Sequence, residues 1–288
     1  MSDAAVGVLL ALFSALTLAA ANLSVKMGVD VLVGRAVLSA SAAVIVAAAL
    51  LVAAPPDAAT WEALAIAMPA HFGYQLCLVR AMGRGELSLV FPVMRGAAPL
   101  LTALAAAAFL GERLHPLGWA GLVVATGALL AFAWPPEGAG LRGHPDAAAL
   151  GWALATAVGV ALYNTADARG VRTAPEPLTY IVWLFLFDAV PITLLAVATR
   201  RRELRTALAA RWRYGVAAGG LSVLSFGSAL YAFSLLATAK VSALRETSVV
   251  WAALMGGRIL GEGMGRRRVA AAAVLAAGLL AMQFAPAG

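Results

Sequence analysis

The sequence predicts an all-α integral membrane protein with ten transmembrane helices, arranged as two inverted five-helix repeats. Of its 288 residues, 62% are hydrophobic and only 12% are charged, too few to cover a soluble domain of this size. Apolar runs of about 18 residues or more recur along the chain, and each is long enough to span a bilayer as a helix. A third observation is that Arg95 recurs after 150 residues as Arg245, within a similar apolar run.

The apolar runs give the elements in order. The first half is expected to cross the membrane at residues 4–25, 31–53, 61–82, 87–110 and 117–134. The second half is expected to cross it at residues 147–167, 178–199, 212–236, 241–260 and 269–284. Backbone groups in lipid must pair within the segment, which helices achieve. The alternation of apolar and polar residues that a strand barrel needs is absent.

The two halves are expected to be 1–134 and 147–288, joined by the linker 135–146. An odd number of spans in each half makes the second half enter the membrane from the opposite side, so the repeat is inverted. The run Ala19-Ala20-Ala21 could mimic a signal-peptide cleavage site. Because the preceding residues include an acid and no base, we interpret this segment as the first span.

Basic residues predict the orientation. Fourteen lysines and arginines lie on the side of the loops 1–2, 3–4, 5–6, 7–8 and 9–10, four lie on the opposite side, and three lie deeper within spans. The basic side is expected to be cytoplasmic, which places both termini outside. The net charge of +7 is thus explained by membrane topology. No basic patch is interleaved with aromatic residues, so nucleic-acid binding is not expected.

The repeat extends around the two arginines. The segment "LVFPVMRGAAPLLTALAAAAFLGERL" corresponds to "KVSALRETSVVWAALMGGRILGEGM", and Gly111-Glu112 falls on Gly261-Glu262. In these features the chain resembles the drug/metabolite transporter (DMT) superfamily, of the EamA type. That resemblance implies a secondary transporter of small metabolites, often an exporter, with two EamA-like five-helix repeats. It also implies cytoplasmic termini, so two orientations stay open, one from the charge bias and one from the family.

Arg95 and Arg245 are the leading candidates for substrate binding. A charge at the centre of a bilayer costs at least about 2.5–3.5 kcal/mol, so a buried arginine needs an anionic or carbonyl partner. Its planar fork fits a carboxylate or phosphate group with two parallel hydrogen bonds. We therefore expect both arginines to bind an anionic or zwitterionic metabolite. The alternative is a structural ion pair, for example of Arg95 with Glu246 or Asp188.

Glu246 and Asp188 are the other charges deep within predicted spans. A carboxyl group removed from water can take up a proton, and this suggests coupling of transport to protons at these two residues. The alternative is that each carboxylate is the structural partner of a buried arginine.

His71, Tyr74 and Gln75 are spaced by three and four residues, which places them on one helical face. With Trp183 and Tyr231 they could form a polar and aromatic wall of the substrate cavity. The alternative for His71 is an ordinary hydrogen-bonded residue without contact to substrate.

A weaker repeat aligns "ANLSVKMGV" with "YNTADARGV", so that Asn22 falls on Asn164. Asparagine within a span either joins helices by hydrogen bonds or contacts substrate, and both remain candidates. Cys77 is the single cysteine, and the histidines lack metal-ligand spacing. Without a nucleotide-binding or hydrolytic motif, we expect no cofactor, no metal and no enzymatic activity.

These residues favour a multi-pass transporter in the cell or inner membrane, whose partners are a small-molecule substrate and the lipid bilayer. Transport would proceed by alternating access, in the direction of export, and coupled to protons. One alternative is a cationic-drug efflux pump, which would line its cavity with carboxylates and aromatic rings. Another is a lipid scramblase or a non-transporting membrane protein.

Overall fold

A computed structural model describes residues 2–25, 30–84, 87–133, 147–251, 254–255 and 266–285. Nearly all of this backbone is helical. The helices are α1 (Asp3–Val25), α2 (Val31–Ala47, continued by a 3-10 helix, Ala48–Leu51), α3 (Ala58–Arg84), α4 (Leu87–Leu110), α5 (Pro116–Ala133), α6 (Ala147–Thr173), α7 (Pro177–Thr199), α8 (Arg201–Leu235), α9 (Thr238–Arg245) and α10 (Arg266–Phe284).

The apolar helices make this a multi-pass membrane protein. Among the described residues, six helices are long and apolar enough to cross a membrane, namely α1, α2, α4, α6, α7 and α8. Shorter apolar helices lie within α5 and α10. The all-helical membrane class predicted from the sequence is therefore confirmed. The predicted linker 135–146 lies outside the described residues.

Two helices extend beyond the predicted spans. α6 continues past residue 167 to Thr173, and α8 begins at Arg201 rather than at residue 212. Hydropathy locates the edge of the hydrocarbon region, whereas a helix continues until its backbone is interrupted. For α6 the interruption is Pro175, because the residue before a proline is pushed out of helical geometry.

The predicted ninth span is broken near its start. α9 ends at Arg245, a turn occupies residues 246 and 247, and helical backbone resumes at 248–251. The amide of Glu246 donates to the carbonyl oxygens of Ala243 and Leu244, which closes the last turn of α9. Two charged side chains, Arg245 and Glu246, thus lie at an interruption of the helix.

Acidic residues precede two helices, α2 and α3, and accept hydrogen bonds from their first turns. The Asp30 carboxylate accepts hydrogen bonds from two amides at the start of α2. Asp57 precedes α3 and accepts from the Thr60 hydroxyl at 2.6 Å and the Thr60 amide at 2.8 Å. These side-chain and backbone hydrogen bonds from Thr60 lower the pKa of Asp57 below its usual value, because they stabilise the ionised carboxylate.

The helices pack through small residues. α3 packs against α6, α1 against α8, α4 against α6, and α2 against both α7 and α8. α5 and α10 cross at Gly121 and Gly278, where a Cβ atom on Gly121 would lie 2.5 Å from the carbonyl oxygen of Gly278. Close backbone approach of this kind supplies the van der Waals contact that holds helices together in lipid.

Candidate functional site

Arg95 and Glu246 form a buried ion pair between α4 and the turn after α9. The Arg95 Nη1 atom lies 3.2 Å from Oε1 of Glu246, and its Nη2 atom donates to the Ser248 hydroxyl at 3.5 Å. Glu246 is only 2% exposed. Its second carboxylate oxygen, Oε2, is buried without a hydrogen-bond partner among the described residues. The ion-pair alternative considered for Arg95 thus matches the observed geometry.

Arg245 differs from Arg95 in its partners. Its side chain donates from Nε to the Ser14 hydroxyl at 3.1 Å, and its guanidinium carbon lies 5.3 Å from the centre of the Phe226 ring. Within the part of the chain that the structure describes, no carboxylate lies within 4 Å of this guanidinium. Arg245 is nevertheless only 8% exposed. We refer to Arg95, Arg245 and Glu246 as the arginine cluster.

Helix geometry favours a cation at this position. Arg245 is in the last turn of α9, where the helix dipole places a partial negative charge. This dipole compensates only part of a full charge, and the arginine cluster still combines two guanidinium groups with one carboxylate. The cluster therefore carries a net positive charge inside an apolar helix bundle.

A second buried cluster surrounds His71 on α3. The His71 Nε2 atom lies 2.9 Å from Oδ2 of Asp167 on α6, and its Nδ1 atom lies 3.6 Å from Oδ1 of Asp188 on α7. Asp167 also accepts a hydrogen bond from the Tyr180 hydroxyl at 2.9 Å and is fully buried. We refer to His71, Asp167 and Asp188 as the histidine cluster; it joins three helices through one imidazole ring.

Asp188 has two further hydrogen bonds. The Gln75 amide donates to its Oδ1 at 2.9 Å, and the Ser39 hydroxyl of α2 donates to Oδ2 at 3.5 Å. The carbonyl oxygen of the Gln75 side chain is buried without a partner among the described residues. The side chains of His71 and Gln75, which the helical period places on one face, therefore meet the same carboxylate.

Aromatic rings lie between the two clusters. Tyr163 stacks on His71 with ring centres 4.5 Å apart, and Tyr74 meets Tyr163 edge-on at 5.0 Å. Phe226 contacts His71 edge-on at 5.7 Å, and its ring also lies beneath Arg245. One phenyl ring thus touches both clusters.

Glycines on α6 make room for this arrangement. A Cβ atom on Gly170 would lie 2.1 Å from the nearest ring carbon of Tyr180, so the ring lies directly against the helix backbone. A Cβ atom on Gly159 would lie 3.0 Å from the backbone of Tyr74. These two positions bring the tyrosines close to α6, and Tyr180 can thereby reach Asp167.

Asn164 belongs to a separate polar group. Its side-chain amide donates to the Thr102 hydroxyl at 3.3 Å and the Ser242 hydroxyl at 3.5 Å, linking α6 to α4 and α9. Its carbonyl oxygen is buried without a partner among the described residues. Asn22 lies on α1, but its side chain falls outside the described residues.

Trp183 and Tyr231 are not brought to either cluster. The Trp183 ring stacks on Phe187 at 5.9 Å and meets Trp61 edge-on at 5.5 Å, in an aromatic group of its own. Tyr231 is 43% exposed on the surface of α8. Of the five side chains predicted to form one cavity wall, the structure brings His71, Tyr74 and Gln75 together, whereas Trp183 and Tyr231 lie elsewhere.

Several residues of the two clusters were not predicted. Asp167 follows Asn164 by three residues on one helical face, and this spacing could have identified it as a buried acid. Tyr163 and Phe226 carry no signal beyond their apolar surroundings. Ser14 meets Arg245 from 231 positions away, a pairing that no local pattern encodes.

A third polar junction ties the ends of four helices. Gly111 has a positive φ of 66°, which a residue without Cβ adopts freely, and it ends α4. Glu112 then accepts from the amide and hydroxyl of Thr238 at the start of α9, at 2.8 and 2.6 Å. Arg172 lies 2.8 Å from Glu112 and donates to the carbonyl oxygens of Phe233 and Leu236 at the end of α8.

Comparison with known proteins agrees with this architecture. No curated protein shows a significant match to the chain. A solved structure described only as "Crystal structure of protein" superposes with a TM-score of 0.74 at 20% sequence identity, covering 97% of this chain and 95% of that chain. At this identity the likeness establishes the fold alone. Residues 147–284 match the EamA-like transporter family. The second half of the chain is therefore similar to the EamA-like transporter family, which confirms the resemblance noted from the sequence.

Proposed function

We propose that this protein is a secondary transporter that moves a small anionic or zwitterionic metabolite by alternating access, in the direction of export, with the anion bound at the arginine cluster. One observation carries the proposal: Arg245 is a buried guanidinium that no carboxylate approaches within 4 Å among the described residues. A charge in this environment is costly unless it is paired, and a bound anion would provide the missing partner.

The hydrogen-bond inventory of Arg245 supports an anionic ligand. A guanidinium has five N–H donors, of which the Nε donor contacts Ser14. The terminal nitrogens form the planar fork that matches a carboxylate or phosphate group. The Oε2 atom of Glu246, which has no hydrogen-bond partner among the described residues, could accept from an ammonium group, and this would extend the ligand range to zwitterions.

Helix contacts support two inverted repeats of five helices, with halves 1–134 and 147–288. The repeat maps α1 onto α6, α2 onto α7 and α3 onto α8. The contact of α3 with α6 then has its counterpart in the contact of α1 with α8. The repeat likewise exchanges α4 with α9 and α5 with α10. The contacts of α2 with α7, α4 with α9 and α5 with α10 therefore each join a helix to its own counterpart, as expected for pairs near a two-fold axis.

The crossing of α5 and α10 follows the same symmetry. Under the 150-residue repeat, Gly121 corresponds to Ala271 and Gly278 corresponds to Ala128. Both alanines line one apolar groove between these helices. A two-fold axis through this crossing would relate the halves, which could then rock against each other around the arginine cluster.

The predicted orientation, with both termini outside, is part of this proposal. Cys77 is the single cysteine, so a Cys77→Ala, Ser2→Cys variant carries one thiol at the N-terminus. We expect a membrane-impermeant maleimide to label intact cells. Labelling only after permeabilisation would instead favour the cytoplasmic termini that the family resemblance implies.

The central test compares arginine variants in proteoliposomes. Radiolabelled phosphate, succinate and alanine serve as anionic and zwitterionic probes, and tetraphenylphosphonium serves as a cation. We expect Arg245→Gln to lower transport of the favoured probe about tenfold or more, equivalent to at least about 1.4 kcal/mol. Arg245→Lys keeps the charge without the fork and should restore part of the rate if the fork binds the anion.

Arg169→Gln is the matched control, because Arg169 pairs with Glu62 on the exposed surface. It should transport at the wild-type rate. Transport of the cation alone, with no loss in Arg245→Gln, would overturn the proposal and favour the cationic-drug efflux pump. Transport of lipid probes alone would favour the scramblase.

A further inference from the structure

The histidine cluster has no role in binding an anion at Arg245, yet it buries three titratable groups. His71 is 5% exposed and Asp167 is fully buried, and such groups are costly in an apolar bundle unless their charges balance. Asp167 and Asp188 both face the imidazole. The guanidinium carbon of Arg35 on α2 lies 5.9 Å from the centre of the Tyr74 ring, and its Nε atom has no hydrogen-bond partner among the described residues.

We propose that His71, held between Asp167 and Asp188, is a proton-binding site, and that its proton travels together with the anion bound at Arg245. The site itself stands on the geometry of the histidine cluster. Only its coupling to the anion rests on the proposed function.

The atoms of the cluster define where the proton binds. A neutral imidazole has one N–H donor, and the shorter contact, 2.9 Å from Nε2 to Asp167, places that hydrogen on Nε2. The lone pair of Nδ1 then faces Oδ1 of Asp188 at 3.6 Å. A proton taken from water binds this lone pair. The imidazolium can then donate to both carboxylates and tie α3 to α6 and α7 at the same time.

The other ionisable groups around the ring do not supply this proton. Tyr163 stacks on the ring face, and Tyr74 packs edge-on against Tyr163. Tyr180 donates its hydroxyl hydrogen to Oδ1 of Asp167, whereas His71 contacts Oδ2. The remaining group, Arg35, carries a guanidinium, a type of side chain that does not release a proton in proteins. The imidazole is therefore the group of this cluster that changes charge most readily near neutral pH.

The charge balance links the two clusters. When His71 is neutral and no anion is bound, the described charges of the two clusters and Arg35 comprise three guanidinium groups and three carboxylates. The net charge of this region is then zero. A bound monovalent anion makes the region negative, and one proton on His71 restores neutrality. Phe226 touches both Arg245 and His71, so one ring contacts the side chains at which the anion and the proton would bind.

The low dielectric of the protein interior makes this charge balance energetically important. Charges separated by a few ångströms of apolar protein interact far more strongly than they do in water. The region is neutral when neither ligand is bound and when the anion and the proton are both bound. It carries a net charge when only one of the two is bound. The conformational change should therefore favour the two neutral states, which is the condition for one-to-one transport of anion and proton in the same direction.

The proton site can be tested without any substrate. In the full chain carrying His115→Gln and His144→Gln, His71 is the remaining histidine, and nitrogen-15 NMR reports the protonation of both ring nitrogens. We expect the ring to change from one to two protonated nitrogens as the pH is lowered across the range in which the protein stays folded. Asp167→Asn in this background should alter the protonated fraction at a fixed pH, and Glu62→Gln, which removes an exposed carboxylate, should not.

A ring that keeps one protonation state throughout that range overturns the proton site. An unchanged protonated fraction in a folded Asp167→Asn variant does the same, and the elution profile on size exclusion reports folding. Asp188→Asn is the second variant if Asp167→Asn does not fold.

Coupling is tested with the anion that the wild-type protein moves in proteoliposomes. For one-to-one transport, a difference of one pH unit across the membrane should support about a tenfold anion concentration ratio. We expect His71→Gln to make the steady-state ratio independent of the pH difference. A His71→Gln ratio that follows the gradient as in the wild type would overturn the coupling. If the wild type moves no anion at all, the proposed function fails, and the NMR measurement alone decides the proton site.

Discussion

Gly170→Ala is expected to destabilise the protein through the buried Tyr180 ring. The new Cβ atom would lie 2.1 Å from a ring carbon of Tyr180, where ordinary contact needs about 3.5–4.0 Å. The ring must therefore move by about 1.4 Å or more. The hydrogen bond from the Tyr180 hydroxyl to Asp167, now 2.9 Å long, would not survive such a shift.

Three contributions set the magnitude of this effect. Overpacking a dense site costs about 1–3 kcal/mol. Loss of a hydrogen bond to a charged group costs about 1.5–3 kcal/mol. The higher helix propensity of alanine returns about 0.8–1 kcal/mol. The free energy of unfolding should therefore fall by about 2–5 kcal/mol, which corresponds to at least about 4 °C in melting temperature.

Gly151→Ala is the matched control for this measurement. Gly151 lies on the same helix, and a Cβ atom there would meet nothing within 4 Å. In detergent, thermal melting of both variants should separate them clearly, with Gly151→Ala at or above the wild-type temperature. Adding Tyr180→Leu to Gly170→Ala removes the obstructing ring, so the two costs should not add. Equal melting temperatures for the two alanine variants, or strictly additive costs, would refute the reasoning.

Three further variants test other parts of the fold by thermal melting. Glu112→Gln removes the charge that anchors α9, and the free energy of unfolding should fall by about 1–3 kcal/mol; an unchanged melting temperature would contradict this. Gly121→Ala places a methyl group 2.5 Å from the Gly278 carbonyl oxygen and should destabilise, whereas Gly127→Ala, in open space, should not. Asp57→Asn tests pH dependence: because folding lowers the pKa of Asp57, its contribution is present above about pH 4 and is lost as pH falls, so the variant should show a weaker acid-induced loss.

Much of the architecture could be predicted because lipid imposes simple rules. Residues 87–110 form a helix with the predicted ends, since this apolar run ends at Gly111, a residue suited to stopping a helix. The extra turns of α6 and the early start of α8 could not be predicted, because hydropathy does not distinguish an exposed helix from a loop. The break after Arg245 carries no proline or glycine and leaves no local signal.

The candidate site was only partly predictable for a related reason. The 150-residue repeat identified Arg95 and Arg245 because a charge is conspicuous in an apolar run. The ion pair of Arg95 with Glu246 was one of two alternatives that the sequence left open, and nothing in the repeat indicated that Arg245 would meet Ser14 and Phe226. Those contacts depend on which helix faces join, and they connect positions far apart in the chain. Such pairings follow from tertiary packing and not from the periodicity of any one helix.

The junction at Glu112 has a consequence for how the protein responds to salt. Glu112 follows the last turn of α4, whereas its partners Arg172 and Thr238 belong to the second half of the chain. Any motion that opens this end must exchange these bonds for water and counterions. The Arg172 side chain is 30% exposed, within reach of dissolved ions that screen charges over about 8–10 Å at physiological ionic strength. Raising the ionic strength should therefore weaken this junction, and if the two halves rock as proposed, it should favour the conformation that is open at this end.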